Sequence, residues 1–162
     1  MFVIGLSLPV DSLKSASVAY VHYLSFMLCF GALIYERVSL KADPSRQEAI
    51  SMVIADVIYG IAGIALLVSG IYRVIKFGQG SEFYTQNPIF WIKIVVFAFI
   101  GSLSLYPTVT YVLWAIPLSK GTLPVVKENL VSRLRLIINV ELFGFASIPF
   151  LATLMSRGIG LG

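Results

Sequence analysis

Four long apolar stretches alternate with short polar segments along this chain. They extend over about residues 18–35, 49–75, 89–115 and 133–155. Each is long enough to cross the hydrocarbon core of a bilayer, which takes about 17–25 mostly apolar residues in a helix. The connections between them are short, so successive helices are expected to lie side by side in opposite directions. The pattern predicts an all-α fold, an integral membrane four-helix antiparallel up-down bundle that forms one domain over residues 1–162.

The composition of the chain favours the same environment. Hydrophobic residues make up 58% of the 162 positions, and charged residues make up only 12%. Soluble domains are about 45–50% apolar and about one quarter charged, so a soluble globule of this sequence would lack polar residues to cover its surface. Intrinsic disorder is excluded as well, because it requires low hydrophobicity and high net charge. The lipid bilayer is therefore the expected partner of the chain.

The basic residues predict an orientation in the membrane. The net charge is +4, but no basic run with interleaved aromatic residues is present, so no nucleic acid partner is expected. The loops after the first and third spans carry seven Lys and Arg residues, against four at the termini and in the middle loop. Because Lys and Arg are enriched in cytoplasmic loops, we expect both termini on the non-cytoplasmic side of a bacterial inner membrane or a thylakoid-type membrane.

Two basic side chains are predicted at similar depth inside the first and third spans. His22 and Lys93 each lie about five residues from the start of their span, and both spans start on the same side of the membrane. Ionisable side chains inside a membrane are costly, so each is a candidate for function. We expect the two to line one cavity between spans one and three, which holds haem or another anionic planar ligand. Arg73 and Lys76, at the outer end of the second span, would add positive charge for binding that ligand.

The same two residues also have structural interpretations. A neutral imidazole is an axial ligand of haem iron, which makes His22 the candidate metal ligand, yet a lone intramembrane histidine also donates interhelical hydrogen bonds. Lys93 can extend its ammonium group to the nearby interface along its apolar stem. Each interpretation remains open from the sequence.

Two acidic residues are predicted near the opposite side of the membrane. Asp56 lies near the start of the second span and Glu141 near the start of the fourth. An unpaired carboxylate at that depth is costly, so we expect Asp56 and Glu141 to lie near each other, or to form a structural ion pair with Arg133 or Arg135. A proton path through Asp56 and Glu141 is the alternative.

Five short motifs spread along the chain carry a family resemblance. They are Asp56-x-x-Tyr59-Gly60, Gly70-x-x-Arg73-Val74, Phe83-Tyr84-x-x-Asn87-Pro88, Ser104-x-Tyr106-Pro107-Thr108 and Met155-x-Arg157-Gly158. Together they resemble a bacterial family of predicted four-span membrane proteins, domain of unknown function family 2214. The resemblance covers nearly the whole chain. It implies a topology and no activity.

A second and more distant resemblance concerns chemistry. A histidine early in span one, a lysine just inside span three, and an Arg-x-x-x-Asn-x-Glu pattern in span four are similar to the small bacterial membrane protoporphyrinogen oxidases that bind haem b. This resemblance implies an oxidoreductase. It implies that His22 is the axial ligand and Lys93 the essential catalytic lysine, and that the span-four motif is Arg135, Asn139 and Glu141.

Three functional hypotheses from different classes follow. The first is an integral membrane protein that binds a tetrapyrrole through His22 and acts as a protoporphyrinogen oxidase-like oxidoreductase. The second is a non-catalytic small subunit or assembly factor that packs against other membrane proteins or against its own copies, since Gly60, Gly63 and Gly70 permit close helix packing. The third is a proton- or ion-coupled carrier that uses Asp56 and Glu141.

Overall fold

The computed structural model describes residues 9–78 and 80–160, and these form four long helices with no strand among them. The all-α fold is confirmed. The other residues of the predicted domain, 1–8, 79 and 161–162, lie outside the described ranges. In chain order the helices are α1 (Val10–Ser39), α2 (Arg46–Tyr72), the short α3 (Ser81–Thr85), α4 (Pro88–Ser119) and α5 (Glu128–Ser156), and α2 continues into a π-helical turn over Arg73–Phe77.

The four long helices are apolar and long enough to cross a membrane, and each extends beyond its predicted span. Helix ends depend on capping as well as on hydropathy. The Ser45 side chain accepts a hydrogen bond from the Glu48 amide, while the Glu48 carboxylate accepts one from the Ser45 amide at 2.8 Å. This capping box starts α2 before its apolar stretch begins. Asn87 caps α4 through Ile89 N, and Pro88 occupies the first turn, where a proline costs no hydrogen bond.

The long helices form a closed ring in the order α1, α2, α4, α5. Each packs against its two neighbours in this order, and in the described chain α1 and α4 face each other diagonally without direct packing. We call the end of the bundle at which α1 and α4 begin the proximal end, and the opposite end the distal end. Neighbouring helices in the ring run in opposite directions, as predicted for an up-down bundle.

Aromatic and branched side chains fill the interior. Phe145 on α5 is 2% exposed, and its ring centroid lies 5.7 Å from that of Phe26 on α1 and 6.1 Å from that of Tyr59 on α2. The ring of Phe145 thus fills the space between three helices. Since lipid tails are as apolar as these side chains, the packing contacts themselves hold the helices together.

Glycines occupy two different kinds of position in the helices. A side chain at Gly144 would collide with Ile100, 2.6 Å from the added Cβ, and one at Gly70 would meet the His22 ring at 3.1 Å. These two glycines allow close packing inside the bundle. Gly60 and Gly63, by contrast, have open space around them in the described chain. Of the three glycines expected to bring helices together in span two, only Gly70 packs closely against another helix of the chain.

Candidate functional site

His22 on α1 is turned toward α2. Its Nδ1 lies 3.1 Å from the Leu66 carbonyl oxygen and 3.0 Å from Ser69 Oγ. A carbonyl oxygen only accepts, and the Ser69 hydroxyl already donates to Ala65 O at 2.6 Å. The proton of the neutral ring is therefore on Nδ1, which donates to both oxygens. This is the interhelical hydrogen bond of the structural interpretation, and it also fixes the orientation of the ring.

The other ring nitrogen of His22 remains free. Nε2 makes no hydrogen bond to any residue in the described ranges, and with the proton on Nδ1 its lone pair is available to a ligand. Histidine ligands of metals have this arrangement, in which a carbonyl holds the other ring nitrogen and fixes the tautomer. His22 is thus able to act as a ligand without losing its contact with α2.

The three other basic residues predicted near His22 lie at the proximal end of the bundle. They are Arg73, Lys76 and Lys93. Arg73 and Lys93 are half-buried and lie close enough to His22 for their charges to act on the ring. The Arg73 guanidinium donates to Tyr23 Oη at 3.3 Å and stacks 5.0 Å from the centroid of that ring. Lys93 directs its ammonium over Phe90, 5.4 Å from the ring centroid, toward the start of α4. Lys76 is exposed on the π-helical turn.

The helices that carry His22 and Lys93, α1 and α4, are diagonal in the ring and do not pack directly against each other in the described chain, but the charge of Lys93 acts on the His22 ring, so a cavity lined by both residues stays a prediction. His22 makes its contacts with α2, its direct neighbour. Two shallow apolar grooves lie elsewhere on the bundle, and neither is lined by His22 or Lys93. One of about 390 Å³ lies between α1 and α2, and one of about 250 Å³ lies between α2 and α4 near the distal end.

Three carboxyl groups meet inside the bundle on the distal side of its centre. Glu36 on α1 is 1% exposed, Asp56 on α2 is 5% exposed and Glu141 on α5 is 0% exposed. They lie close enough to one another for their charges to interact. Thr108 on α4 donates to Asp56 Oδ1 at 2.8 Å. The carboxylate oxygens of Glu36 and Glu141 have no hydrogen-bond partner among the described residues.

The ion pair predicted for Asp56 and Glu141 is absent from the described structure. The salt bridges found there join Lys14 to Asp11 and Lys41 to Glu48. Arg133 is exposed, outside the bundle interior. Arg135 is half-buried and donates from Nη2 to Leu40 O at 2.9 Å, so its guanidinium caps the C-terminal end of α1, where cations are favoured.

Sequence reasoning missed one of the three carboxyl residues, Glu36, and the buried tyrosine on which their charges act, Tyr111. Glu36 lies one residue beyond the predicted first span, which ends at about residue 35, yet α1 continues to Ser39. Its position follows Cys29 by seven residues, two helical turns, and Cys29 is fully buried, so helical periodicity carried past the end of the apolar stretch would have found it. Tyr111, which is 0% exposed with an unpartnered hydroxyl, lies inside the predicted third span, where no charge distinguishes it from the other aromatic residues.

The span-four motif divides between two environments. Asn139 accepts a hydrogen bond from Arg37 Nε at 2.6 Å on the outer side of the α1–α5 contact, whereas Glu141 points into the bundle. Arg37 and Asn139 thus fix the register of α1 against α5 next to the acidic group.

Among the comparisons with known proteins, a family model matches almost the whole chain. No curated protein and no solved structure matches the chain. The match is to a family model described as "Predicted membrane protein (DUF2214)", and it covers residues 14–160. With four apolar helices of membrane-spanning length, the chain is an integral membrane protein and belongs to this family.

Proposed function

We propose that this protein binds a haem-type tetrapyrrole, haem b, with His22 Nε2 as the axial ligand of the iron. The observation that carries the proposal is the fixed tautomer of His22, whose Nδ1 donates to Leu66 O and Ser69 Oγ and leaves Nε2 free. Neutral imidazole is a common proximal ligand of haem. A carbonyl on Nδ1 raises the basicity of the ligating nitrogen.

The charges around His22 support an anionic ligand. Arg73 and Lys93 act on the ring from the same end of the bundle, and Lys76 is exposed one turn beyond. Positive groups of this kind pair with propionates. The chain has one histidine, so the second axial position stays open or takes a weak ligand, which favours redox chemistry or sensing over electron relay. Lys93 is the candidate catalytic residue of a protoporphyrinogen oxidase-like reaction.

The absorption spectrum of the purified protein tests this proposal. Wild-type protein extracted in detergent from haem-replete cells is expected to show a Soret band, and His22→Ala is expected to remove at least nine tenths of it, because the iron loses its axial ligand. Val21→Ala, at the exposed neighbouring position on α1, is the control and should retain the band.

A colourless wild-type protein from haem-replete cells would refute the tetrapyrrole proposal. The small-subunit hypothesis would then be the better one, and a different observation favours it. Gly60 and Gly63 expose helix backbone on the outside of the bundle, where an added Cβ meets nothing within 4 Å. In lipid, such positions allow another helix to approach closely.

Association through this surface has its own test. Gly63→Leu is expected to convert a cross-linked homo-oligomer or complex in native membranes to monomer, because the larger side chain blocks close helix packing. Ile64→Leu, at the exposed adjacent position, should leave association unchanged. Equal cross-linking in both variants would exclude this surface as the interface.

We further propose that both termini lie on the non-cytoplasmic side of a bacterial inner or thylakoid-type membrane, as the distribution of Lys and Arg indicates. Epitope tags at the two ends are expected to be accessible from outside intact spheroplasts, whereas a tag in the loop between α1 and α2 should be protected. A tag at the amino terminus that becomes accessible only after lysis would reverse this orientation.

A further inference from the structure

Four helices contribute to the acidic group in the bundle interior, which we call the acidic centre and define as Glu36, Asp56, Glu141 and Tyr111. No residue of the acidic centre is more than 5% exposed. The charges of Glu36, Asp56 and Glu141 all act on Tyr111. The centre therefore joins α1, α2, α4 and α5 at one point on the distal side, and it is separate from the His22 site. On α1, Glu36 follows His22 by 14 residues, about 21 Å along the helix axis.

The hydrogen-bonding groups of the acidic centre are mostly unsatisfied. Both carboxylate oxygens of Glu36, both of Glu141 and the hydroxyl of Tyr111 have no partner among the described residues. Tyr111 is a neutral residue on a different helix, and its unpartnered hydroxyl is an observation independent of the carboxyl groups. Buried polar atoms without partners are rare in native structures, and each requires an explanation such as a bound ion, a water or a proton.

The described chain supplies no counter-charge to the acidic centre. Arg37 is bound to Asn139 and Lys41 pairs with Glu48. Arg135 donates from Nη2 to Leu40 O, while its buried Nε has no partner among the described residues. Three carboxylates in a low-dielectric interior without a cation would carry a prohibitive desolvation cost. The compensating positive charge must therefore come from outside the chain.

A proton fits this centre better than a metal ion does. In the described ranges no three His, Cys, Asp or Glu side chains converge closely enough to hold a metal. A proton needs no coordination shell, and it removes the charge of a buried carboxylate and turns one of its oxygens into a donor.

We propose that the acidic centre is an internal proton-binding site in which Glu36 and Glu141 hold exchangeable protons at neutral pH. Glu36 lies only three residues before the end of α1, so the path for exchange leads to the distal side past the Arg37–Asn139 contact. Intramembrane carboxyl groups of this kind occur in proton relays of pumps and transporters. The ionisable groups that act on one another at the centre are Cys29 and Glu36 of α1, Asp56 and Tyr59 of α2, Tyr111 of α4 and Glu141 of α5. The basic residues nearest along the chain, Arg37 and Arg135, bind Asn139 and Leu40 O instead.

Infrared spectroscopy of the protein in lipid nanodiscs tests the proposal directly. At neutral pH the wild type is expected to show the C=O stretch of protonated carboxyl groups, and transfer to D2O should shift this band to lower frequency within minutes. The double variant Glu36→Gln, Glu141→Gln keeps the side-chain shapes and should lose at least half of the band area. The control Glu82→Gln, Glu128→Gln removes two exposed carboxyl groups and should leave the band unchanged.

Each other outcome overturns the proposal. The absence of a protonated carboxyl band in the wild type shows that the carboxylates are charged, and this result does not depend on whether any variant folds. A band that does not shift in D2O belongs to a group without proton exchange. A band that survives in the double variant arises from other residues.

Discussion

Phe145→Ala is expected to lower the free energy of unfolding by about 2–3 kcal/mol. Truncating a buried phenylalanine costs about 3–5 kcal/mol in water-soluble proteins, partly for lost transfer energy and partly for the cavity left behind. Lipid is as apolar as the bundle interior, so in this protein the transfer contribution is smaller and the lost packing remains. Phe145 contacts aromatic rings of both α1 and α2, and a cavity there would loosen three helices together.

Phe143→Ala is the matched control for this measurement. Phe143 lies two residues earlier on α5 and is 80% exposed, so its ring faces lipid and its removal opens no interior cavity. Denaturation of both variants in mixed micelles, followed by circular dichroism, measures the difference. Equal losses of stability in the two variants would mean that Phe145 does not fill the interior of the bundle.

The span count and the fold class are readable from the sequence because the bilayer restricts the choice of structure. In hydrocarbon, backbone groups must bond internally, so apolar stretches of this length form helices. The ends of the helices are less predictable from hydropathy, which reports contact with lipid and not hydrogen bonding. The capping box of Ser45 and Glu48, for example, starts α2 inside a polar segment.

The candidate sites were harder to predict because they depend on which helices are neighbours. His22 and Lys93 lie at similar depth, and the charge of Lys93 acts on the His22 ring, but depth alone does not fix the order of the helices in the ring. With α1 beside α2, the ring of His22 bonds to Leu66 O and Ser69. A hydrogen bond to a backbone carbonyl cannot be recognised from the sequence, because every residue has such a group.

The acidic centre was hard to predict for a different reason, because two residues on the same helix can point away from each other. Charge pairing was expected because a carboxylate inside a membrane needs compensation, and Arg135 lies on the same helix as Glu141. The two are six residues apart, so they point in different directions around the helix. The Arg135 guanidinium is bound at the end of α1 instead, and no salt bridge joins it to Glu141 in the described structure.

Gly70→Leu is expected to displace the His22 ring and to break its hydrogen bonds to α2. A Cβ at position 70 would lie 3.1 Å from His22 Cε1, which leaves no space for the remaining carbons of leucine. Replacing a glycine in a helix raises helix propensity by up to about 1 kcal/mol, so the helix itself is not weakened. Because the Leu66 carbonyl and Ser69 hold the tautomer, the displaced ring should exchange its proton between both nitrogens.

Nitrogen NMR of the imidazole measures this change without interference, since His22 is the one histidine of the chain. In haem-free protein the wild type should give two separate ring signals, those of a protonated Nδ1 and an unprotonated Nε2, and Gly70→Leu should move both toward an average. The Soret band, where present, should fall at least tenfold. Gly60→Leu places the same side chain in open space on the same helix and should leave both signals in place. If Gly70→Leu retains the wild-type ring signals, the tautomer is not fixed by packing against α2, and His22 loses the feature that makes it a preorganised ligand.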